Sequence, residues 1–152
     1  METLEPILAE HPFLRDLEPR YIKLIAECAS NTRFKADQYL FREGEEADRF
    51  YMIREGKVAL EVHTKKGSIT LQTVGEGDVL GWSWLVGPHR YHFHARAVEP
   101  TAALALHGKC LRTRSEEDHN LGYELLRRFC HIIVERLDAT RLQLLDVYGS
   151  HP

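Results

Sequence analysis

Most of the chemistry this chain could perform lies between residues 81 and 99. The stretch reads Gly81-Trp82-Ser83-Trp84-Leu85, then Arg90-Tyr91-His92-Phe93-His94-Ala95-Arg96, then Glu99. His92, His94 and Glu99 make an H-x-H-x4-E pattern. Imidazoles two apart on a strand share a face, and a carboxylate can complete a divalent-metal site. His94 and Glu99 are five apart, however, and a regular strand sends them to opposite faces. No metal is expected, and His89, His92 and His94 read as surface or hydrogen-bonded imidazoles. Ser68 and Ser83 lie in no G-x-S-x-G turn, and Cys130 and His131 are helix neighbours that point apart. There is no phosphate-binding loop of the G-x4-G-K-[ST] type and no dinucleotide fingerprint, so an enzyme is not expected. What remains is recognition. Trp82, Trp84, Tyr91 and Phe93 offer an aromatic wall, with Ser83, His92 and Arg90 or Arg96 as polar anchors for a small anionic or aromatic ligand.

The 152 residues suit one domain. Residues 1–30 read as two short helices. Leu4, Ile7 and Leu8 keep helical spacing until Pro12, and Leu17, Tyr21, Leu24, Ile25 and Cys28 form a second stripe, with Asp16 as the expected cap and Pro19 in the first turn. Over 31–110 the grammar changes to short strands. Val58, Leu60 and Val62 alternate with Ala59, Glu61 and His63; Lys65-Lys66-Gly67 marks a hairpin, and Ile69 and Leu71 resume the alternation. Gly44, Gly56, Gly67 and Gly75 fall at the intervals of an antiparallel sandwich or roll of about eight strands, mainly β and jelly-roll-like.

Residues 115–148 read as one long helix ending at Gly149, with Glu116, Glu117 and Asp118 in its first turn. Tyr123, Leu126, Cys130, Ile133, Leu137, Thr140, Leu144 and Val147 are spaced alternately three and four apart, a heptad seam. A second stripe, Leu121, Leu125, Phe129 and Ile132, covers the first half. Two apolar stripes require two surfaces, so one is expected to lie on the β-region and the other on a second copy in a homodimer. Burial of the whole helix on its own domain is the alternative.

Charged residues are 28% of the chain and hydrophobic ones 43%, the balance of a soluble globular protein. A net charge of −3 argues against non-specific nucleic-acid binding. No apolar run reaches the ~20 residues of a membrane span, and residues 1–6 carry neither a basic nor an apolar segment, so a cytoplasmic protein is expected. Three widely separated cysteines, Cys28, Cys110 and Cys130, form no zinc motif and no disulfide framework, and read as buried free thiols.

Two segments carry a resemblance. Residues 40–58, Leu40-Phe41-Arg42-Glu43-Gly44 through Glu55-Gly56-Lys57-Val58, and Gly75-Glu76-Gly77-Asp78-Val79-Leu80-Gly81 together resemble the cyclic-nucleotide-binding domain of catabolite-activator-type regulators and cyclic-nucleotide-dependent kinases. The resemblance spans residues 13–147. It implies a β-roll, a long dimer helix and a phosphate-binding cassette with its helical turn at residues 81–85. It also implies a ribose-binding glutamate after Gly81 and a phosphate-binding arginine on the returning strand. Those two positions fall on Trp82 and Tyr91, with His92 next, and Arg90 lies one place off register beside the loop Gly87-Pro88-His89. Loss of a charged donor removes contacts worth roughly 1.5–3 kcal/mol each, so cyclic AMP or cyclic GMP is not expected to bind in the family's way. Three readings stay open: a filled pocket in a dimerising scaffold, a pocket re-purposed for another small ligand, and altered cyclic-nucleotide binding through Arg90. The H-x-H-x4-E pattern is similar to half of the cupin metal motif, but the second histidine motif is absent. The family's transcription factors carry a helix-turn-helix after the long helix. Only residues 148–152 follow Val147 here, so no direct DNA contact is expected, and a protein partner becomes a candidate.

Overall fold

The computed structural model describes residues 4–85 and 89–149. Helix α1 (Glu5–Glu10) stops where His11 turns extended ahead of Pro12, and a 3-10 turn follows at Pro12–Leu14. His11 ties this corner to the β-structure: its Nδ1 accepts from Phe13 N, and its Nε2 lies 3.1 Å from the Ile53 carbonyl. Helix α2 (Pro19–Ala26) buries Tyr21, Ile22 and Ile25. Asp16 does not cap it; it turns left-handed at φ 66°, and the N-cap position falls to Glu18, which makes no side-chain cap bond.

Eight strands follow as expected. They are β1 (Ala29–Phe34), β2 (Tyr39–Phe41), β3 (Arg49–Glu55), β4 (Lys57–Thr64), β5 (Gly67–Gly75), β6 (Val79–Leu80), β7 (His94–Ala97) and β8 (Thr101–His107). They form two antiparallel sheets, ordered β1-β8-β3-β6 and β2-β7-β4-β5. The hairpin at Lys65-Lys66 pairs Thr64 with Gly67. Gly56 turns β3 into β4 at φ 102°, and a Cβ there would lie 2.7 Å from the Pro100 carbonyl, so only glycine fits.

Strand alternation builds two cores. Phe50 and Met52 on β3, with Leu104 and Leu106 on β8, face the helices; Tyr51, Ile53, Ala103 and Ala105 face the inside of the roll. Val58 and Leu60 on β4 join the inner core. Because β3 and β8 are covered on both faces, their sequences read as continuous apolar runs.

The C-terminal helix is two helices. Helix α3 (Gly108–Glu117) precedes α4 (His119–Gly149), and Asp118, at φ −134°, breaks the chain between them. Asp118 Oδ1 accepts from the N–H groups of Asn120 and Leu121, so the acidic residue expected in the first turn is the cap itself. Cys28 and Cys110 are disulfide-bonded, with Cα atoms 5.7 Å apart, which corrects the free-thiol reading. The β1–β8 register creates the pairing: Ala29 lies opposite Leu106, and His107 N–H donates to the Cys28 carbonyl, so α2 ends beside α3. Cys130 is free and exposed.

Helix α4 is about 46 Å long for its 31 residues. Leu121, Leu125 and Phe129 are buried on the domain, and Ile132 is half-buried. The seam of Tyr123, Leu126, Cys130, Ile133, Leu137, Thr140, Leu144 and Val147 is exposed. Among the described residues, no helix is long and apolar enough to cross a membrane.

Candidate functional site

Strand β6 delivers the chain to Gly81, whose φ of 91° and 3.1 Å approach of a would-be Cβ to the Arg49 carbonyl exclude a side chain. A single 3-10 turn, Trp82–Trp84, follows. Its two indoles diverge. Trp82 is half-buried, edge-on to Phe93 at 6.5 Å and stacked under the Arg136 guanidinium at 4.6 Å. Trp84 is fully buried on the helical side of the sheet, stacked on Phe50 at 5.4 Å and edge-on to Phe129 of α4 at 5.7 Å. It therefore belongs to the helix-facing core and does not line the roll interior. Arg112 Nη1 donates to the Trp84 carbonyl at 2.5 Å, which adds α3 to the same junction. Ser83 is buried, and Leu85 is half-buried against the helix-facing core.

The returning segment fills the roll. Tyr91 is buried, its ring parallel to Phe41 with centroids 3.8 Å apart, and Tyr51 closes the stack beyond. The Tyr91 hydroxyl donates to the Arg49 carbonyl at 2.6 Å. Burial, reinforced by Tyr51, pushes its pKa up, so the phenol stays neutral. The cleft beside it, about 310 Å³, is rimmed by Glu45, Glu46 and Asp48 against one cation, Arg49. That rim repels an anion. Arg90 is exposed, and its Nη1 donates to the Gly44 carbonyl at 2.9 Å. His92 is exposed. Val86, Gly87 and Pro88 lie outside the described residues.

Arg96 is no pocket anchor. Ala95 and Ala97 take the inward positions of β7, so Arg96 projects from the outer face beside Ala59 and Tyr39. There its Nε and Nη2 grip Glu61 at 3.2 and 3.1 Å, and its Nη1 donates to Asp37 at 2.8 Å. The buried Glu61 carboxylate raises the guanidinium pKa. Sequence reasoning overlooked this pairing, although alternation from Ala95 and Ala97 contains it.

His92, His94 and Glu99 do not assemble. His94 stacks on His63 at 3.8 Å, and its Nδ1 accepts from Glu43 N–H. Desolvation, then His63, lowers its pKa. Among the described residues, no three His, Cys, Asp or Glu groups stand ready to hold a metal.

The model of the cyclic nucleotide-binding domain matches residues 31–118, more than half of the chain. The chain belongs to the cyclic nucleotide-binding domain family. A CRP-like cAMP-activated global transcriptional regulator of Mycobacterium tuberculosis is 26% identical over 145 residues, 95% of this chain and 63% of that protein. The chain thus spans under two thirds of that relative. The crystal structure of a protein of Geobacter metallireducens assigned to the cyclic nucleotide-binding proteins superposes with a TM-score of 0.78 at 27% identity, covering 90% of this chain and 99% of that one. A cyclic nucleotide-binding domain from Methylobacillus flagellatus shares the fold, with a TM-score of 0.83 at 18% identity over 95% of this chain and 86% of its own. In this cyclic nucleotide-binding domain both indoles of the turn at residues 82–84 touch α4, and Tyr91 occupies the interior of the roll.

Proposed function

We propose that this chain is a non-enzymatic regulatory module that acts as a homodimer through α4 and has abandoned the family's grip on the cyclic phosphate. The observation that carries the reading is Tyr91. Where the resemblance puts a phosphate-binding arginine, a neutral phenol stacks on Phe41 and spends its hydroxyl on the Arg49 carbonyl. Trp82 stands where the ribose-binding glutamate belongs. Arg90, the nearest substitute, is turned outward onto Gly44. Cyclic AMP and cyclic GMP would meet an acidic rim and a filled interior.

The dimer reading is supported by the exposed heptad seam, since an apolar stripe of that length is an association surface. Regulation is supported by the contacts of the cassette turn. Trp84 touches Phe129 and Trp82 touches Arg136, so any displacement of residues 81–85 is felt by α4. Such a relay works only if a ligand favours one of two α4 positions. With a net charge of −3, DNA contact is assigned to a partner protein.

Thermal unfolding of the full chain with cyclic AMP or cyclic GMP tests this reading. A ligand at a hundred times its Kd stabilises by about 2.7 kcal/mol. No shift that depends on Arg90 is expected at millimolar nucleotide. A full shift that disappears in Arg90→Gln would restore the cyclic-nucleotide reading.

A further inference from the structure

Past Ile132, α4 reaches the domain through Arg136, and the pairing of that side chain is incomplete. Arg136 Nη2 donates to the Val79 carbonyl, and its guanidinium plane lies over Trp82. Its other terminal nitrogen, Nη1, is buried and has no hydrogen-bond partner among the described residues. Asp78 and Glu135 share the groove with it, yet neither pairs with Nη1, and Asp78 Oδ2 accepts from Gly75 N–H at 2.8 Å. Burial pushes the guanidinium pKa down to about 10, against the opposing pull of Asp78 and Glu135, so the cation persists with part of its demand unmet. A buried donor on a cation without an acceptor is unfavourable and needs an explanation. Beside it runs a groove of about 1,140 Å³ between α4 and the β5–β6 corner, with Arg136, Asp78, Val79, Ala139 and Gln143 among its walls.

We propose that Arg136 supplies from α4 the anion-binding charge that the returning strand lacks, and that the groove admits a small phosphate ester whose oxyanion meets Nη1. This inference rests on the regulatory reading above. A guanidinium presents a fork of donors matched to phosphate oxygens, and Val74, Val79 and Ala139 give the groove an apolar wall for the rest of the ester. The incoming oxyanion competes with the Val79 carbonyl for the same cation. Occupancy therefore loosens the distal half of α4 from β6, where Gln143 donating to the Leu71 carbonyl is the next bond along. Binding and helix position become linked through one side chain.

Calorimetric titration of the full chain with inorganic phosphate, AMP and cyclic AMP tests the assignment, with Trp fluorescence as the second readout. The wild type is expected to bind at least one of the three. Arg136→Gln should weaken that binding at least tenfold with its circular dichroism unchanged, Arg136→Lys should retain part of it, and Arg90→Gln should match the wild type. If phosphate alone suffices, the site is a simple anion site; preference for AMP shows that the groove's apolar wall contributes. Equal binding by wild type, Arg136→Gln and Arg90→Gln overturns Arg136 as the anchor and leaves the regulatory reading in place. Loss only in Arg90→Gln overturns both. Absence of binding to all three probes overturns the anion site and favours the scaffold reading.

Discussion

Breaking the Cys28–Cys110 bond should cost this protein much of its stability. The two residues are separated by 82 positions, so the bond closes a loop that contains every strand of both sheets. In the chain-entropy account, the loss is −2.1 − 1.5R ln n, which for this loop is about 4.5 kcal/mol at 25 °C. Small domains are stable by about 5–15 kcal/mol, so the reduced protein would stand near the edge of folding. The perturbation is the Cys28→Ala, Cys110→Ala double variant, or reduction of the wild type with a dithiol. Guanidinium unfolding followed by circular dichroism reads the change, and thiol titration of the unfolded chain confirms the covalent state. Without reductant, one reactive thiol is expected, that of Cys130, against three after reduction. Three thiols in the untreated protein, or an unfolding midpoint indifferent to reductant, would refute the reasoning.

Leu137→Asp places a carboxylate in the middle of the exposed seam and should give a monomer by sedimentation, and mild oxidation of the wild type should link Cys130 to its counterpart in a second copy. An unchanged dimer would move the interface elsewhere. Gly56→Ala combines a strained φ with a clash against the Pro100 carbonyl and Thr101, and should destabilise by about 1–3 kcal/mol in a denaturant titration. His11 is buried neutral, with desolvation holding its pKa below the ordinary 6.5. Above pH 6.5 both folded and unfolded chains carry it uncharged. As pH falls from 6.5 towards the folded value, the unfolded chain takes up the proton first, so stability should drop by up to about 1.4 kcal/mol per pH unit. His11→Gln should flatten that slope.

The sequence reveals elements far better than it reveals sides. The glycine intervals and the Lys65-Lys66-Gly67 turn foretell the strands, because tight turns need particular residues whatever the tertiary context. The two stripes of α4 are legible for the same local reason, and the structure buries one and exposes the other. Trp84 and Arg96 were misplaced because alternation specifies relative faces, and a single-turn cassette flips its side chains within three residues. The disulfide depended on the register of β1 with β8, strands that lie some seventy residues apart and whose pairing no spacing announces. Helix α3 escaped notice because among residues 108–117 only Gly108 and Leu111 are fully buried, too short a stripe to stand out.

A crystal structure of the chain grown in saturating cyclic AMP tests the central claim most directly. The account predicts Tyr91 still lying on Phe41, its hydroxyl on the Arg49 carbonyl, and no nucleotide within the roll. A cyclic phosphate seated beside Gly81, with Tyr91 swung aside and Arg90 turned inward to clasp it, would contradict the account outright.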